Sequence, residues 1–510
     1  MLVGPLAGDE REGALGKLWV PARRFGIVQS GKIRPVDNFS EFGTNQAFGS
    51  PEKVGLLSID HVVAWARAWM EAVTSDRKVR VVSSDGQVWE GVLHESWTLE
   101  SWRSLAGRVA DLKNAYKQMA SSPAHACFSA IGVWNPNKMR VEVFKALSLM
   151  FGETAAVYSF LRVSRALSHI CSYLFLLLTI EFFDDFTQIE SKALQESAMS
   201  TLESVFELLG WDVSMTEKKR LLPAECFNSL GVLVDLSRSQ YKQVVLFNKE
   251  GRIEGIMELV KAILCRNTMG FKDALSLKGK LQFAEGQLFF RVAAPVCRLL
   301  SRWASNGSER RLTDEMSLAL RSLQLVLDSA GPRVVEPRSL DEPIIIFTDG
   351  ACEPSGSTIG GIIFIRGMRP EVFGARLTAA AALALTSKVG QTQIIGQAEL
   401  LPVLVAKFIW RRYLKNRRVI YFIDNDSARL ALVRGYSPVL TSLNIIMRCA
   451  HQDSLSRSSS WYARVPTKSN IGDGPSRLDV ALVKELYGAR VVATKLEDGE
   501  RWFTDSLVAD

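Results

Sequence analysis

The chain has 510 residues, with 62 Lys and Arg against 54 Asp and Glu for a net charge of +8. At roughly 100–200 residues per domain the length predicts two to four domains with cores of their own, and the charge is compatible with a polyanionic partner without demanding one. Seven cysteines, at 127, 171, 226, 265, 297, 352 and 449, form no CxxC and no paired spacing, which argues against a zinc site or a disulfide framework and for a reducing intracellular compartment.

The first twenty residues carry Asp9, Glu10 and Glu12 and no continuous apolar core. They do not read as a signal peptide, so secretion is not expected. From Gly31 to about Asp235, apolar strand-like runs alternate with helical segments, which predicts an α+β domain over residues 1–235. Within it, Ile170–Ile180 is apolar but shorter than the ~20 residues a membrane span needs. It reads as buried strand, and no membrane contact is expected. The run leads to Asp184 and Asp185, set between aromatic residues. Burying two neighbouring like charges is costly. Either the pair is the solvated tip of a hairpin or it meets a divalent cation, for which carboxylates are hard ligands. Further on, Leu202, Val205, Phe206 and Leu209 are spaced for a helix that Gly210 is placed to stop.

Residues 236–340 predict a mainly helical domain. Ile256, Leu259, Val260 and Ile263 make one apolar stripe, and Met316, Leu320, Leu323 and Leu327 another, both of which read as core. Linker composition around Gly331–Pro343 marks a boundary, and a β-rich domain is predicted over residues 341–480, with a C-terminal extension over 481–510. Its first strand, Pro343–Ala351, delivers Asp349 at its end, and Gly360–Ile365 is the predicted antiparallel partner. Gln397–Leu401 opens a helix with Glu399 in its first turn, where the helix dipole alone explains a carboxylate equally well. Asp424 ends the strand of Val419–Asn425, Asp426 lies past that end, and Asp473 sits in a loop before a helix. Four acids in the order strand, helix, strand, loop are suited to converge on two metal ions ~4 Å apart, the arrangement that displaces a phosphodiester in line.

These motifs resemble, from about residue 25 to 480, the reverse transcriptase and ribonuclease H of gypsy-type or DIRS-type retroelements. Thr348-Asp349-Gly350-Ala351, Ala398-Glu399-Leu400, Ile423-Asp424-Asn425 and Ser469–Arg477 are similar, in order, to the four acidic motifs of the ribonuclease H. The resemblance implies Asp349, Glu399, Asp424 and Asp473 as metal-binding catalytic residues. Gly472 stands where that family usually has alanine, and the histidine some members carry before the last acid is absent. In the first domain, Asp111-Leu112-Lys113-Asn114-Ala115-Tyr116 and Phe182-Phe183-Asp184-Asp185 resemble the palm motifs of the polymerase. Asp111, Asp184 and Asp185 are thereby implied as its metal ligands, and Tyr116 as the aromatic that screens the sugar 2′ position.

By the same resemblance Phe151 and Gly152 lie beneath template and incoming nucleotide. Lys32 and Arg34 lie on a fingers strand where they contact triphosphate, unless that strand is simply a solvated basic one. Lys218, Lys219 and Phe227–Gly231 resemble later palm and primer-grip elements. The implied architecture is a multidomain α+β chain: fingers and palm, a helical thumb or connection, then an α/β ribonuclease H-like domain with a mixed sheet. The implied cofactors are Mg²⁺ or Mn²⁺, two per active site. The implied partners are an RNA template, a DNA primer, RNA–DNA hybrid and deoxynucleoside triphosphates. The basic run Arg411, Arg412, Lys415, Arg417 and Arg418 either tracks the hybrid's phosphates or caps a helix C-terminus. The alternatives are a nucleic-acid-binding retroelement fragment without turnover, or ribonuclease H activity only.

Overall fold

The computed structural model describes residues 2–494 apart from 30, 54, 84, 217–219, 285–292, 306–308, 330, 337–341, 355 and 387–393. The chain is a mixed α+β, multidomain protein that divides into two compact units, Met1–Val244 and Val245–Asp510. No helix among the described residues is long and apolar enough to cross a membrane.

In the first unit, β1 (Leu2–Val3), β2 (Pro21–Gln29), β3 (Lys32–Asn38), β4 (Leu105–Asp111), β5 (Ala130–Asn135) and β6 (Arg140–Ala146) precede the long helix α1 (Thr154–Phe175). Then follow β7 (Thr179–Phe182), β8 (Asp185–Ser191) and α2 (Gln195–Leu208). Five strands form a sheet in the order β1-β6-β5-β2-β3, and β4, β8 and β7 form a separate antiparallel sheet with β8 in the middle. Strand β8 is buried along almost its whole length, as a central strand covered by helix must be. Phe160, Leu167 and Cys171 of α1 and Leu202 and Phe206 of α2 pack there with Tyr116 and Phe186, each large side chain contributing about 1.5–3 kcal/mol by burial.

The expected strand over Ile170–Ile180 is corrected. Its first six residues are the last turns of α1, and Leu176 ends that helix in a left-handed conformation at φ 56. The strand begins only at Thr179. An apolar run alone does not distinguish a buried strand from a buried helix end. The α2 stripe ends as its spacing implies, with Gly210 at φ 77.

The second unit opens with helices α3 (Arg252–Arg266), α4 (Phe271–Ala284), α5 (Ala294–Ala304) and α6 (Asp314–Ser329). Strands β9 (Ile344–Glu353), β10 (Gly356–Phe364) and β11 (Glu371–Arg376) follow. Next come α7 (Ile395–Ile409), β12 (Arg418–Ile423), α8 (Asp426–Arg434), α9 (Leu440–Ser456), β13 (Ser459–Arg464), α10 (Asp473–Ser476) and β14 (Arg490–Val491). The stripes of α3 and α6 share one core with Leu443 and Met447 of α9. The sheet runs β13-β12-β9-β10-β11-β14 and is mixed: β9 pairs antiparallel with β10 and parallel with β12, which pairs parallel with β13. Helix α7 is buried without a break from Gln397 to Lys407, the placement required of a helix apolar on all sides.

Candidate metal and nucleic-acid site

Parallel pairing of β9 and β12 places Phe347 opposite Phe422. Asp349 and Asp424 each lie two residues beyond that pair, just past the carboxyl end of the parallel ladder, where open α/β sheets place their ligands. The hydrogen-bonded strand β9 continues past Asp349 to Glu353, with Asp349 opposite Gly360, so Asp349 lies beyond the parallel ladder but within the strand rather than at its end. Helix α7 supplies Glu399. It begins at Ile395, so Glu399 falls beyond its first turn, which carries no acid. The dipole explanation for Glu399 is thereby weakened.

Close approach of α7 to β9 depends on two residues. Pro402 removes the helical donor to the Ala398 carbonyl, and a Cβ on Gly350 would lie 2.1 Å from that oxygen. Only glycine fits at 350. Two further glycines floor the other side: a Cβ on Gly360 would meet Ser476 N at 2.2 Å, and one on Gly374 would meet Pro475 O at 2.4 Å. They let α10 settle onto the sheet, where Ser476 Oγ donates to Asp349 Oδ2 at 2.5 Å and Asn470 Nδ2 donates to Asp349 Oδ1 at 3.4 Å. Gly472 is also close-fitted, its missing Cβ lying 3.1 Å from Asn470 Oδ1 and 3.2 Å from Thr348 C.

Asp349, Glu399 and Asp424 bring one carboxylate oxygen each within 4.8 Å of one another, and no other group of this kind occurs among the described residues. Burial pushes the Glu399 carboxyl up to about 8, with the charges of Asp349 and Asp424 adding to it; Asn425 and the Gly350 N–H oppose the shift. Burial likewise pushes Asp349 up to about 6, against the Ser476 hydrogen bond and with Asp424 and Asp473 adding to the rise. Glu399 Oε2 and Asp424 Oδ1 are buried with no hydrogen-bond partner. Buried carboxylate oxygens left unpartnered and crowded by like charge fit a hard divalent cation. Asp473 is not in the group. It is the first residue of α10 rather than a loop residue, and its Oδ1 accepts from Arg477 Nε at 3.0 Å. Asp426 stands apart as well, paired with Arg429 at 2.9 Å and Arg464 at 3.4 Å.

In the first unit, Asp111 at the end of β4 faces Asp185 at the start of β8. Asp184 occupies the β7–β8 turn, and its carbonyl accepts from Leu112 N at 3.1 Å. The turn carries strain: Phe183 adopts φ 55, uncommon for a bulky residue, and Ser164 Oγ pins its carbonyl at 2.6 Å. Ser214 Oγ donates to Asp111 Oδ2 at 2.5 Å. The pair is thus a hairpin tip beside a third acid, although these three do not form a group as close as the one in the second unit. Tyr116 packs between Phe160 (4.5 Å) and Phe151 (4.8 Å). Burial, and then the Asp184 charge, push its hydroxyl up to about 12.

Gly152 has φ 94, and a Cβ there would lie 2.6 Å from Asp37 O, so the Phe151–Gly152 segment lies against β3. Lys32 falls opposite Gln29 and Arg34 opposite Ile27 in the β2–β3 hairpin; Arg34 is exposed, and the Lys32 side chain lies outside the described residues. Lys218 and Lys219 also lie outside them. Phe227 covers Gly107 of β4, where a Cβ would meet its ring at 2.2 Å. Of the basic run, Arg412 is engaged by Glu371 at 3.3 Å and Arg417 by Glu342 O at 3.1 Å, so both have structural partners within the unit. Ser214, Ser476, Asn470, Asn425 and Arg477 are site residues that reading the sequence missed. The last four lie within or next to the acidic motifs, whereas Ser214 carries no local signal.

No family model matches the chain, and no curated protein does. Among solved structures it is similar to the foamy viral protease-reverse transcriptase in complex with dsDNA, at 13% identity over 88% of this chain and 78% of that one, with a TM-score of 0.42.

Proposed function

We propose that the chain is a retroelement RNA-directed DNA polymerase whose second unit hydrolyses the RNA strand of RNA–DNA hybrids. The observation that carries the reading is the group of Asp349, Glu399 and Asp424 with its two unpartnered buried oxygens. In the first unit the support is the facing of Asp111 and Asp185, with Asp184 in the strained turn between β7 and β8. Mg²⁺ or Mn²⁺, when bound, supplies charge neutralisation and lowers the pKa of the attacking hydroxyl or water. Asp349, Glu399 and Asp424 would hold it in the second unit, joined by Asp473, and Asp111, Asp184 and Asp185 in the first. Ser476 and Ser214 orient Asp349 and Asp111. Tyr116 borders the sugar of an incoming deoxynucleoside triphosphate, while Phe151, Gly152, Lys32 and Arg34 border template and phosphates. In this reading residues 1–235 are fingers and palm, 236–340 a thumb or connection, 341–480 the nuclease and 481–510 an extension.

Primer extension on an RNA template with Mg²⁺ or Mn²⁺, beside cleavage of labelled RNA–DNA hybrid, tests this. Asp184→Asn should abolish extension and spare cleavage; Asp349→Asn should do the reverse. Equal extension by wild type and Asp184→Asn would remove the polymerase assignment. One observation favours a narrower reading: among the described residues, only those of the second unit gather three acids around a common point. A chain that cleaves hybrid and never extends a primer would match that nuclease-only reading.

A further inference from the structure

Arg477 stands at the rim of the acid group and grips two carboxylates at once. Its Nε lies 3.0 Å from Asp473 Oδ1 and its Nη1 3.1 Å from Glu353 Oε1. One guanidinium thus ties the start of α10 to the end of β9, using the fork that makes arginine suited to carboxylates. Of the four acids predicted for the second unit, Asp473 is the one that stays outside the three-acid group. It is still close enough for its charge to raise Asp349, while that of Arg477 lowers it. Both bridges are half exposed, and exposed ion pairs are weak. A divalent cation arriving at Asp473 competes with them readily. Adjacent residues of one short segment therefore act on different acids: Ser476 fixes Asp349, and Arg477 holds Asp473.

We propose that Arg477 is a positioning residue that occupies Asp473 in the metal-free protein and competes with the second divalent cation. Filling is then stepwise. Asp349, Glu399 and Asp424 take the first ion, and Asp473 becomes available for the second only when Arg477 lets go. The cation concentration that loads the second position therefore depends on a residue that touches neither ion. This proposal rests on the nuclease reading of the second unit given above.

The test is a Mn²⁺ titration of the full chain carrying Asp111→Asn, Asp184→Asn and Asp185→Asn, followed by electron paramagnetic resonance and calorimetry. Those three substitutions silence the acids of the first unit. In that background, Arg477→Ala should change the first ion's affinity little and tighten the second roughly twofold to fivefold. Arg477→Lys, which keeps the charge but not the fork, should fall between. Asp473→Asn should abolish the second step with or without Arg477. A second step that is unchanged or weaker in Arg477→Ala overturns the latch, since a merely structural arginine predicts that result. If Asp424→Asn binds as much Mn²⁺ as its parent, the nuclease reading itself fails and the latch falls with it.

Discussion

Ser476 donates its hydroxyl to Asp349 Oδ2 at 2.5 Å across 127 residues of chain. Ser214 does the same for Asp111 across 103 residues. Each hydroxyl fixes a carboxylate, and the one at Asp349 favours its ionised form. At Asp349 that bond opposes the burial that pushes the carboxyl up to about 6. Ser476→Ala should therefore raise it further. A carboxylate holds a cation only when deprotonated, so the acidic limb of Mn²⁺ binding and of hybrid cleavage should move to higher pH by roughly 0.4–1 unit, the worth of one hydrogen bond. An unmoved limb would show that Ser476 does not tune this acid.

Glu399 makes the metal-free protein pH-sensitive in the opposite direction from an ordinary surface acid. Its carboxyl is pushed from 4.5 up to about 8 in the folded state. The folded chain then binds more protons than the unfolded one across that interval, so this contribution to stability is present below about 4.5 and is lost as pH rises toward 8. Glu399→Gln should flatten the slope and stabilise the protein in EDTA at pH 8 by roughly 1–3 kcal/mol, the cost of a buried group without its partners. Melting curves at pH 5 and pH 8 read this directly. Parallel pH slopes for wild type and variant would count against it.

Asp349 and Asp424 were legible because each follows a short β-branched and aromatic run, and a strand that delivers an acid has a local signature. Glu399 was legible as a helical acid but not in its position, since α7 starts at Ile395, before the motif. The end of α1 was misread because burial makes Ile170–Phe175 apolar whether helical or extended, and only the left-handed Leu176 separates helix from strand. Ser214 and the facing of Gly350 with Ala398 are long-range facts. Nothing within a few residues of either encodes its partner.

Gly350 sets the distance between β9 and α7, and its replacement should be felt through the whole second unit. An added Cβ would sit 2.1 Å from Ala398 O and 2.8 Å from Glu399 N, both backbone atoms with no side chain to swing away. Gly350→Ala should cost roughly 1–3 kcal/mol or more by overpacking and lower cation affinity by displacing Glu399. Gly396→Ala is the control on the same helix, where an added Cβ meets nothing within 4 Å; it should be neutral or stabilise by up to about 1 kcal/mol. Calorimetric unfolding separates the two, and equal costs would mean that the close approach is not the cause.

Tyr116 offers the sharpest test of the first unit, because ring and hydroxyl separate cleanly. The ring is held between Phe151 and Phe160, and the hydroxyl, which burial and then Asp184 push up to about 12, is neutral. Tyr116→Phe keeps the stack and removes only a neutral hydroxyl, so extension with deoxynucleotides should change little. Tyr116→Ala loses the stack, at roughly 3–5 kcal/mol, and opens space beside Asp184. If the ring screens the sugar, ribonucleotide incorporation relative to deoxynucleotide should rise about tenfold or more in Tyr116→Ala, the discrimination a steric pocket supplies, and remain low in Tyr116→Phe. Unaltered sugar selectivity in an alanine variant that still extends primers would place the screen elsewhere and leave Tyr116 as a core residue of the α1 face.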